Sequence, residues 1–372
     1  MFKRNIPIGK IFGIGVDLDY SWFLILALMT WILATSYYPV EFRNWSTSEY
    51  WLIGGLTAIL LFVSVLVHEL GHSLVARRFG IAVPRITLFI FGGVSQMAEE
   101  PKSAGAEFWI AVVGPIISLA LAALFWEFEP LTTFSQPLLA IVTYLALINL
   151  VLGVFNFIPG FPLDGGRVLR ALVWRVTGKF EEATVISAVT GRFFGFALIF
   201  LGIWQALTGN LLDGIWIAFI GWFLESAAAS QLQQEVMRRL VAKHVVGEAM
   251  AREVPHIPGD ITLQDLVDKY VLTRGLRCFV VGGSNGSTGM VTLSAIRHAP
   301  RATWPTTTAS QIMIPMAKLD TIPPQAGIWS ALEKMGRDGV NQLPVIEGNG
   351  IVGMLSREDV VHYLHALRAL RA

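Results

Sequence analysis

Residues 60–80 have the sequence LLFVSVLVHELGHSLVARRFG and pass from an aliphatic run directly into two histidines and a glutamate. The aliphatic run is typical of a helix that crosses a lipid bilayer, which needs about 20 mostly apolar residues. Residues four apart share one face of an α-helix, so His68 and His72 can approach a single ion, while Glu69 lies about 100° further round. The H-E-x-x-H pattern predicts a zinc site, with His68 and His72 as ligands and Glu69 as a general base.

Three other interpretations of the pattern are a chance match, a histidine pair satisfied by hydrogen bonds, and a proton relay. A polar group in hydrocarbon costs about 2 to 3 kcal/mol unless it is paired or hydrated. The pattern places three such groups at the end of one apolar segment. That cost favours a functional site over the three alternatives.

The composition indicates a membrane protein. Of the 372 residues, 54% are hydrophobic and 15% are charged, which differs strongly from an ordinary soluble protein. A formal net charge of +1 argues against a nucleic-acid partner, because such partners bind strongly basic surfaces. The chain has one cysteine, Cys278, so a metal ion must be held by His, Asp or Glu. Gly, Pro and Asp interrupt the first 20 residues where a signal peptide needs an apolar core, so we expect no cleaved signal.

Six apolar segments are long enough to cross a bilayer, namely 20–38, 51–74, 108–126, 137–157, 185–207 and 211–228. Lys and Arg are concentrated in the connections after the second, fourth and sixth segments, and such residues mark the cytoplasmic side. We therefore expect both termini in the cytoplasm of a bacterial or archaeal cell, and the histidines near the cytoplasmic end of the second span. Residues 81–97 contain short β-branched and aromatic runs broken by Pro and Gly, which predict a short β hairpin at that face.

A catalytic zinc ion usually has three protein ligands and one open position. The best third ligand is Asp164 in NFIPGFPLDGGRVLRA, residues 156–171. Pro159, Gly160 and Pro162 interrupt the fourth span there, and irregular backbone at membrane depth is tolerated only where it lines a protein-buried or hydrated cavity. Taken alone, the L-D-G-G run is equally typical of an ordinary turn.

The two segments together resemble the site-2 protease family of intramembrane zinc metalloproteases. The resemblance covers about residues 1–230 and rests on H-E-x-x-H followed by N-x-x-P-x-x-P-x-D-G-G-R. The matching positions also include two glycine-containing pairs. The full set is Asn156, Pro159, Pro162, Asp164, Gly165, Gly166, Arg167, Gly92–Gly93 and Gly114–Pro115.

The resemblance implies a role for each site residue. His68, His72 and Asp164 are expected to bind Zn²⁺, and Glu69 to take a proton from the attacking water and pass it to the leaving amine. Asn156 is expected to donate a hydrogen bond to the oxyanion, and its alternative is a helix cap or a hydrogen bond between helices. The expected substrate is a single-span membrane protein that unwinds before cleavage, and residues 86–97 can offer it a sheet edge.

The C-terminal part of the chain contains an internal repeat. Gly275 and Gly339 lie 64 residues apart, and the same offset relates the strands and helices that follow them. The pattern resembles a tandem of CBS domains at 245–300 and 308–372, after a linker helix at 231–244. In that family a Ser/Thr-x-x-Asp segment holds the ribose of an adenine nucleotide, and the second repeat has Ser356 and Asp359.

The first repeat has Thr292 but Ala295 at the acidic position, so the resemblance implies one good nucleotide site, for ATP or AMP. The alternative is that the pair only clamps a homodimer.

We expect a mainly α, polytopic membrane protease of six transmembrane helices with a short β hairpin, plus an α/β CBS-domain pair. The main alternative is a CBS-regulated transporter or channel that uses His68 and His72 for ion passage. An inactive scaffold is a further alternative, and the intact Glu69 argues against it.

Overall fold

The computed structural model describes residues 5–276, 278–283, 286–348 and 350–371. The chain divides into two compact units, Met1–Glu235 and Val236–Ala372. The first is mainly helical and the second combines helices with small sheets, in agreement with the predicted fold class.

Eight helices begin in the first unit. They are α1 (Tyr20–Ile32), α2 (Tyr38–Glu41), α3 (Thr47–Arg78), α4 (Ala104–Phe128), α5 (Gln136–Asn156), α6 (Asp164–Thr177), α7 (Phe180–Leu207) and α8 (Leu211–Val241). A π-helical turn, Leu33–Tyr37, joins α1 to α2, and a 3-10 turn, Glu129–Thr132, extends α4. The joined α1–α2 segment and α3, α4, α5, α7 and α8 are apolar and long enough to cross a membrane. Each contains most of one predicted span, and α8 also continues through most of residues 231–244.

A four-stranded sheet accompanies these helices. Its strands are β1 (Asn5–Ile11), β2 (Ile14–Asp19), β3 (Arg85–Phe89) and β4 (Gly92–Gln96), in the order β1-β2-β3-β4. The predicted hairpin is the antiparallel pair β3–β4, and β2 pairs with β3 in parallel. The N-terminal hairpin β1–β2 was not predicted. It turns at Phe12 and Gly13, which both have positive φ as a tight hairpin turn requires.

The helix α3 positions the site because one of its faces is buried. A capping box of Ser46 and Glu49 starts the helix, and Arg77 and Arg78 occupy its last turn, where positive charge favours the helix C-terminus. Its buried positions recur every three or four residues. They include Ala58, Phe62, Val65, His68, His72 and Ala76. The period that buries aliphatic side chains therefore also turns both histidines into the protein.

The second unit contains seven helices and six strands within its described residues. The helices are α9 (Val246–Ala249), α10 (Leu263–Leu266), α11 (Leu272–Arg274), α12 (Leu293–His298), α13 (Ala309–Ile312), α14 (Ile328–Asp338) and α15 (Arg357–Arg371). The strands are β5 (His256–Pro258), β6 (Cys278–Gly283), β7 (Gly286–Thr292), β8 (Ile314–Pro315), β9 (Gln342–Glu347) and β10 (Gly350–Ser356). β5–β8 form one sheet and β9–β10 another.

The internal repeat has a structural basis in its glycines. Gly275 follows α11 and Gly339 follows α14, both with φ of 67°, the left-handed conformation that ends a helix. A Cβ on Gly289 would lie 2.6 Å from the Ile314 carbonyl oxygen, and one on Gly353 would lie 2.8 Å from that of Ala251. Both repeats therefore need glycine at the same two places.

Candidate active site

The structure brings the three predicted metal ligands together. The Asp164 Oδ2 atom lies 3.1 Å from His68 Nε2 and 3.0 Å from His72 Nε2, and the two Nε2 atoms are 3.1 Å apart. Both histidines are less than 5% exposed. The cluster joins the helix α3 to the start of α6 across more than 90 residues of sequence.

The other ring nitrogen of each histidine is held by α4. His72 Nδ1 lies 2.6 Å from the Ile110 carbonyl oxygen, which can only accept, so Nδ1 carries the proton. His68 Nδ1 lies 2.9 Å from the Ser118 hydroxyl oxygen. When His72 is neutral, with its single proton on Nδ1, the Nε2 lone pair points at a carboxylate oxygen. A bound cation relieves the repulsion between these two acceptors, and two histidines with one carboxylate are a donor set that fits Zn²⁺.

The helix α4 passes so close to the cluster that it needs glycine there. A Cβ on Gly114 would lie 2.7 Å from His68 Nε2 and closer still to His72 Nε2. Real Cβ atoms do not approach other atoms that closely, so any side chain at this position would displace the imidazoles. Gly114 thus allows α4 to form one wall of the predicted metal site.

Asp164 is the first residue of α6 and is presented by a tight backbone contact. A Cβ on Gly165 would lie 2.5 Å from the Phe157 carbonyl oxygen, and one on Gly166 would lie 2.6 Å from that of Gly160. The D-G-G run is therefore glycine-rich because α6 begins directly against the preceding turn.

A buried ion pair that the sequence analysis missed fastens α6 to α4. Arg170 Nε donates to Glu107 Oε1 at 2.6 Å, and a second guanidinium nitrogen donates to the same oxygen. Glu107 is fully buried and Arg170 is 8% exposed. The guanidinium also lies over the rings of Phe161 and Phe180, at 5.1 and 4.6 Å. A carboxylate within an apolar span indicates either a function or an ion pair. Glu107 could therefore have been recognised from the sequence as a residue that needs a partner.

Glu69 lies beside the metal cluster on the same helix and contacts the sheet. The Ser95 hydroxyl, on strand β4, donates to Glu69 Oε2 at 2.6 Å. The Ser73 hydroxyl donates to the Glu69 carbonyl oxygen at 2.8 Å and lies 3.1 Å from Ser95 Oγ. A Cβ on Gly93 would lie 2.5 Å from Glu69 Cγ. The Gly92–Gly93 pair therefore lets β4 approach the predicted base closely.

Asn156 is not joined to this cluster by a hydrogen bond among the described residues. It is the last residue of α5, and its amide donates to the Leu152 carbonyl oxygen of its own helix at 3.0 Å. This contact is a hydrogen bond within α5 and does not reach another helix. Its part in catalysis stays a prediction.

Ser356 and Asp359 form a local contact in the second CBS repeat. The Asp359 carboxylate accepts from the Ser356 backbone at 2.8 Å and from its hydroxyl at 2.6 Å, and the Asp359 N–H donates back to Ser356 Oγ at 3.1 Å. This is a capping box that starts α15. Thr292 caps α12 through the Ala295 N–H in the same way, without an acid. The Ser-x-x-Asp pattern thus has a structural role whether or not a nucleotide binds.

Membrane-spanning helices that enclose a His-His-Asp cluster, with a glutamate next to the first histidine, define an intramembrane zinc metalloprotease. Comparison with known proteins agrees. The model of Peptidase family M50 matches residues 56–132 and 127–202, and the CBS domain model matches 246–302 and 309–366. The chain belongs to the site-2 protease family, peptidase family M50, and carries a tandem of CBS domains. It is therefore a multi-pass membrane zinc metalloprotease. The family match favours this interpretation over the transporter alternative.

Similar proteins cover nearly the whole chain. The protein named "Putative zinc metalloprotease Rip3" of Mycobacterium tuberculosis is 37% identical over 371 residues, which is 98% of this chain and 94% of that protein. "Zinc metalloprotease MJ0392" of Methanocaldococcus jannaschii is 26% identical over 366 residues, or 98% and 97% of the two chains. A solved site-2 protease from the same archaeon is 30% identical, covers 61% of this chain and 95% of that chain, and has a TM-score of 0.44.

Proposed function

We propose that this protease cleaves single-span membrane proteins within the bilayer near its cytoplasmic face. The supporting observation is that Glu69 and both histidines of the cluster lie in the last three turns of α3, whose final residues are Arg77 and Arg78. Basic residues at the end of a span favour the cytoplasmic side, which also puts both termini inside a bacterial or archaeal cell. The proposal includes a protease domain at 1–230, a linker helix at 231–244 and CBS domains at 245–300 and 308–372.

His68, His72 and Asp164 hold Zn²⁺ in this proposal. When bound, the ion lowers the pKa of a water ligand and polarises the scissile carbonyl. The Ile110 carbonyl and the Ser118 hydroxyl fix the orientation of the two imidazoles. Gly114 leaves the space that the imidazoles occupy.

Glu69 acts as the general base. Its carboxylate removes a proton from the attacking water and then delivers it to the leaving amine, so that the peptide bond is replaced by a carboxylic acid and an amine. Asn156 turns its amide from Leu152 towards the oxyanion when substrate is bound.

The substrate adds to the sheet edge within residues 86–97. β4 is the last strand of the four-stranded sheet, with β3 on its other side, so it has one edge without a strand partner among the described residues. A helical peptide bond is shielded by its own hydrogen bonds, and pairing with a strand edge holds a segment extended. The strand that receives the substrate is also the strand that contacts Glu69.

Mapping of the scissile bond tests the proposed substrate class. Purified protease in lipid vesicles is mixed with single-span proteins, and the fragments are identified by mass spectrometry. The expected cut lies inside the apolar span, in its cytoplasmic half, and is absent with Glu69→Gln. Cleavage confined to soluble segments of the substrates contradicts the proposal.

We further propose that ATP or AMP binds the CBS pair through Ser356 and Asp359 and alters the cleavage rate, while the pair also forms a homodimer. Because Asp359 caps α15, Asp359→Ala tests two roles at once. Asp359→Asn keeps an acceptor for the cap but removes the charge that favours ribose hydroxyls, and is expected to weaken binding about tenfold. Calorimetric titration of full-length protein with each nucleotide measures this. Equal affinities for wild type and Asp359→Asn, or no binding by either, would contradict nucleotide binding at this site and leave the CBS pair as a dimerisation element. Light scattering of the full-length protein tests whether it is a dimer.

A further inference from the structure

The hydroxyl of Ser95 contacts the predicted general base directly. Ser95 Oγ donates to Glu69 Oε2 at 2.6 Å, a short distance typical of a hydroxyl bonded to a carboxylate. The two residues belong to different elements, since Ser95 lies on β4 and Glu69 on α3. Ser73, which is fully buried, lies 3.1 Å from Ser95 Oγ and holds the backbone of Glu69 at 2.8 Å.

The backbone of β4 restricts the same carboxylate from a second direction. Gly93 and Ser95 are two residues apart on the strand and so face the same side of the sheet, towards Glu69. The close approach of Gly93 limits the positions that the Glu69 side chain can take. The base is thus held between its own helix and the strand.

We propose that Ser95 is a positioning residue for the general base, so that the strand that receives the substrate also fixes Glu69 in its working orientation. The inference rests on the proposed roles of Glu69 and of the sheet edge. A carboxylate with several rotamers spends part of its time away from the attacking water, whereas a donated hydrogen bond restricts it to one orientation. Ser95 touches neither water nor substrate in this proposal and acts through Glu69.

The test measures kcat and KM separately with a single-span substrate in detergent. Ser95→Ala is expected to lower kcat about tenfold, the size of effect expected for one hydrogen bond to a charged group, with KM changed less than about twofold. Ser95→Thr restores the hydroxyl on a residue well suited to a strand and should recover most of kcat. Zinc content should equal that of wild type in both variants.

Ser230→Ala is the matched control, because that hydroxyl is exposed and donates within its own helix to the Ser226 carbonyl oxygen. If Ser95→Ala unfolds or loses zinc, Ser95→Cys provides a similar shape with a weaker donor and should give an intermediate kcat. In a Glu69→Gln background, Ser95→Ala should cause no further loss.

Three results overturn the inference. They are an unchanged kcat in Ser95→Ala, an increase in KM alone, and a Ser95→Thr variant as slow as Ser95→Ala. In each case an inactive Glu69→Gln leaves the proposed protease mechanism in place. A fully active Glu69→Gln instead removes the mechanism, and with it the role of Ser95.

Discussion

The metal cluster and the capping box of the second CBS repeat both contain an aspartate that a sequence motif marks as a ligand-binding residue. Asp164 meets two histidines from another helix, and the three potential ligand atoms lie about 3 Å apart, an arrangement that fits a bound cation. Among the described residues, the hydrogen bonds of Asp359 all join it to Ser356, three residues before it. A motif whose residues converge from distant positions therefore supports function more strongly than one that local helix geometry already explains.

The same substitution at the two aspartates should have very different consequences. Asp164→Asn removes the charge that balances the cation and should reduce bound zinc from one per chain to below about one tenth, because a neutral amide oxygen is a much weaker zinc ligand than a carboxylate. Asp359→Asn should keep the full zinc content and change the free energy of unfolding by less than about 1 kcal/mol, as expected for a helix cap. Metal analysis by mass spectrometry with thermal unfolding checks both. Full zinc retention in Asp164→Asn would remove this residue from the metal site.

Two glycines of α4, Gly114 and Gly105, allow the packing against the histidines to be compared with the packing elsewhere on the same helix. Gly114→Ala forces a methyl group against both imidazoles and should weaken zinc binding at least about tenfold, measured by competition with a chelator. Gly105→Ala, in the first turn of the same helix with open space around its Cβ, should keep wild-type affinity and slightly raise the unfolding temperature. Equal zinc affinity in the two variants would contradict the described packing of α4 on the histidines.

Breaking the buried Glu107–Arg170 pair should lower the free energy of unfolding more than breaking an exposed ion pair does. Arg170→Met leaves the Glu107 carboxylate buried without its partner, which typically costs about 3 to 5 kcal/mol of unfolding free energy. Lys179→Met breaks the exposed pair with Glu182, and such pairs contribute about 1 kcal/mol or less. Chemical unfolding in detergent compares the two variants. A loss of similar size in both would mean that Glu107 is hydrated or protonated.

The smallest expected effect concerns pH and the second unit. Hydrogen bonds from Tyr363 and His244 lower the pKa of Glu248, so the charged carboxylate stabilises the folded state above its unfolded pKa. That stability is lost as the pH falls through the lowered folded pKa. Tyr363→Phe should bring the Glu248 pKa nearer to its ordinary value and reduce the stability difference between pH 6 and pH 3. Unfolding temperatures of wild type and Tyr363→Phe across this range measure the change, and identical pH profiles would contradict it.

The sequence predicts the features that depend on short-range periodicity. His68 and His72 follow from helix geometry, the six spans follow from segment length, and the repeat glycines follow from their offset. Asp164 was the best candidate because Pro and Gly interrupt the fourth span beside it, but the family motif was needed to favour a ligand over an ordinary turn. Residue roles that rest on that motif alone, such as that of Asn156, stay predictions.

Contacts between distant segments could not be predicted from one sequence. Ser95 meets Glu69 across 26 residues and Arg170 meets Glu107 across 63, and neither pairing follows from any spacing rule. The N-terminal hairpin was missed because Pro7 and Gly9 are unfavourable in strands, and the pairing of β2 with β3 outweighs that local preference.

The most direct test of the protease mechanism is Glu69→Gln, with cleavage and zinc measured on the same preparation. Glutamine has a similar shape and can still accept a hydrogen bond from Ser95, but it cannot take a proton from water. The expected result is one zinc per chain, as in wild type, with a cleavage rate lower by at least about 100-fold. Glu127→Gln, an exposed carboxylate at the end of α4, is the matched control and should cleave at the wild-type rate. A Glu69→Gln variant that retains zinc and cleaves its substrate as fast as wild type would contradict the mechanism.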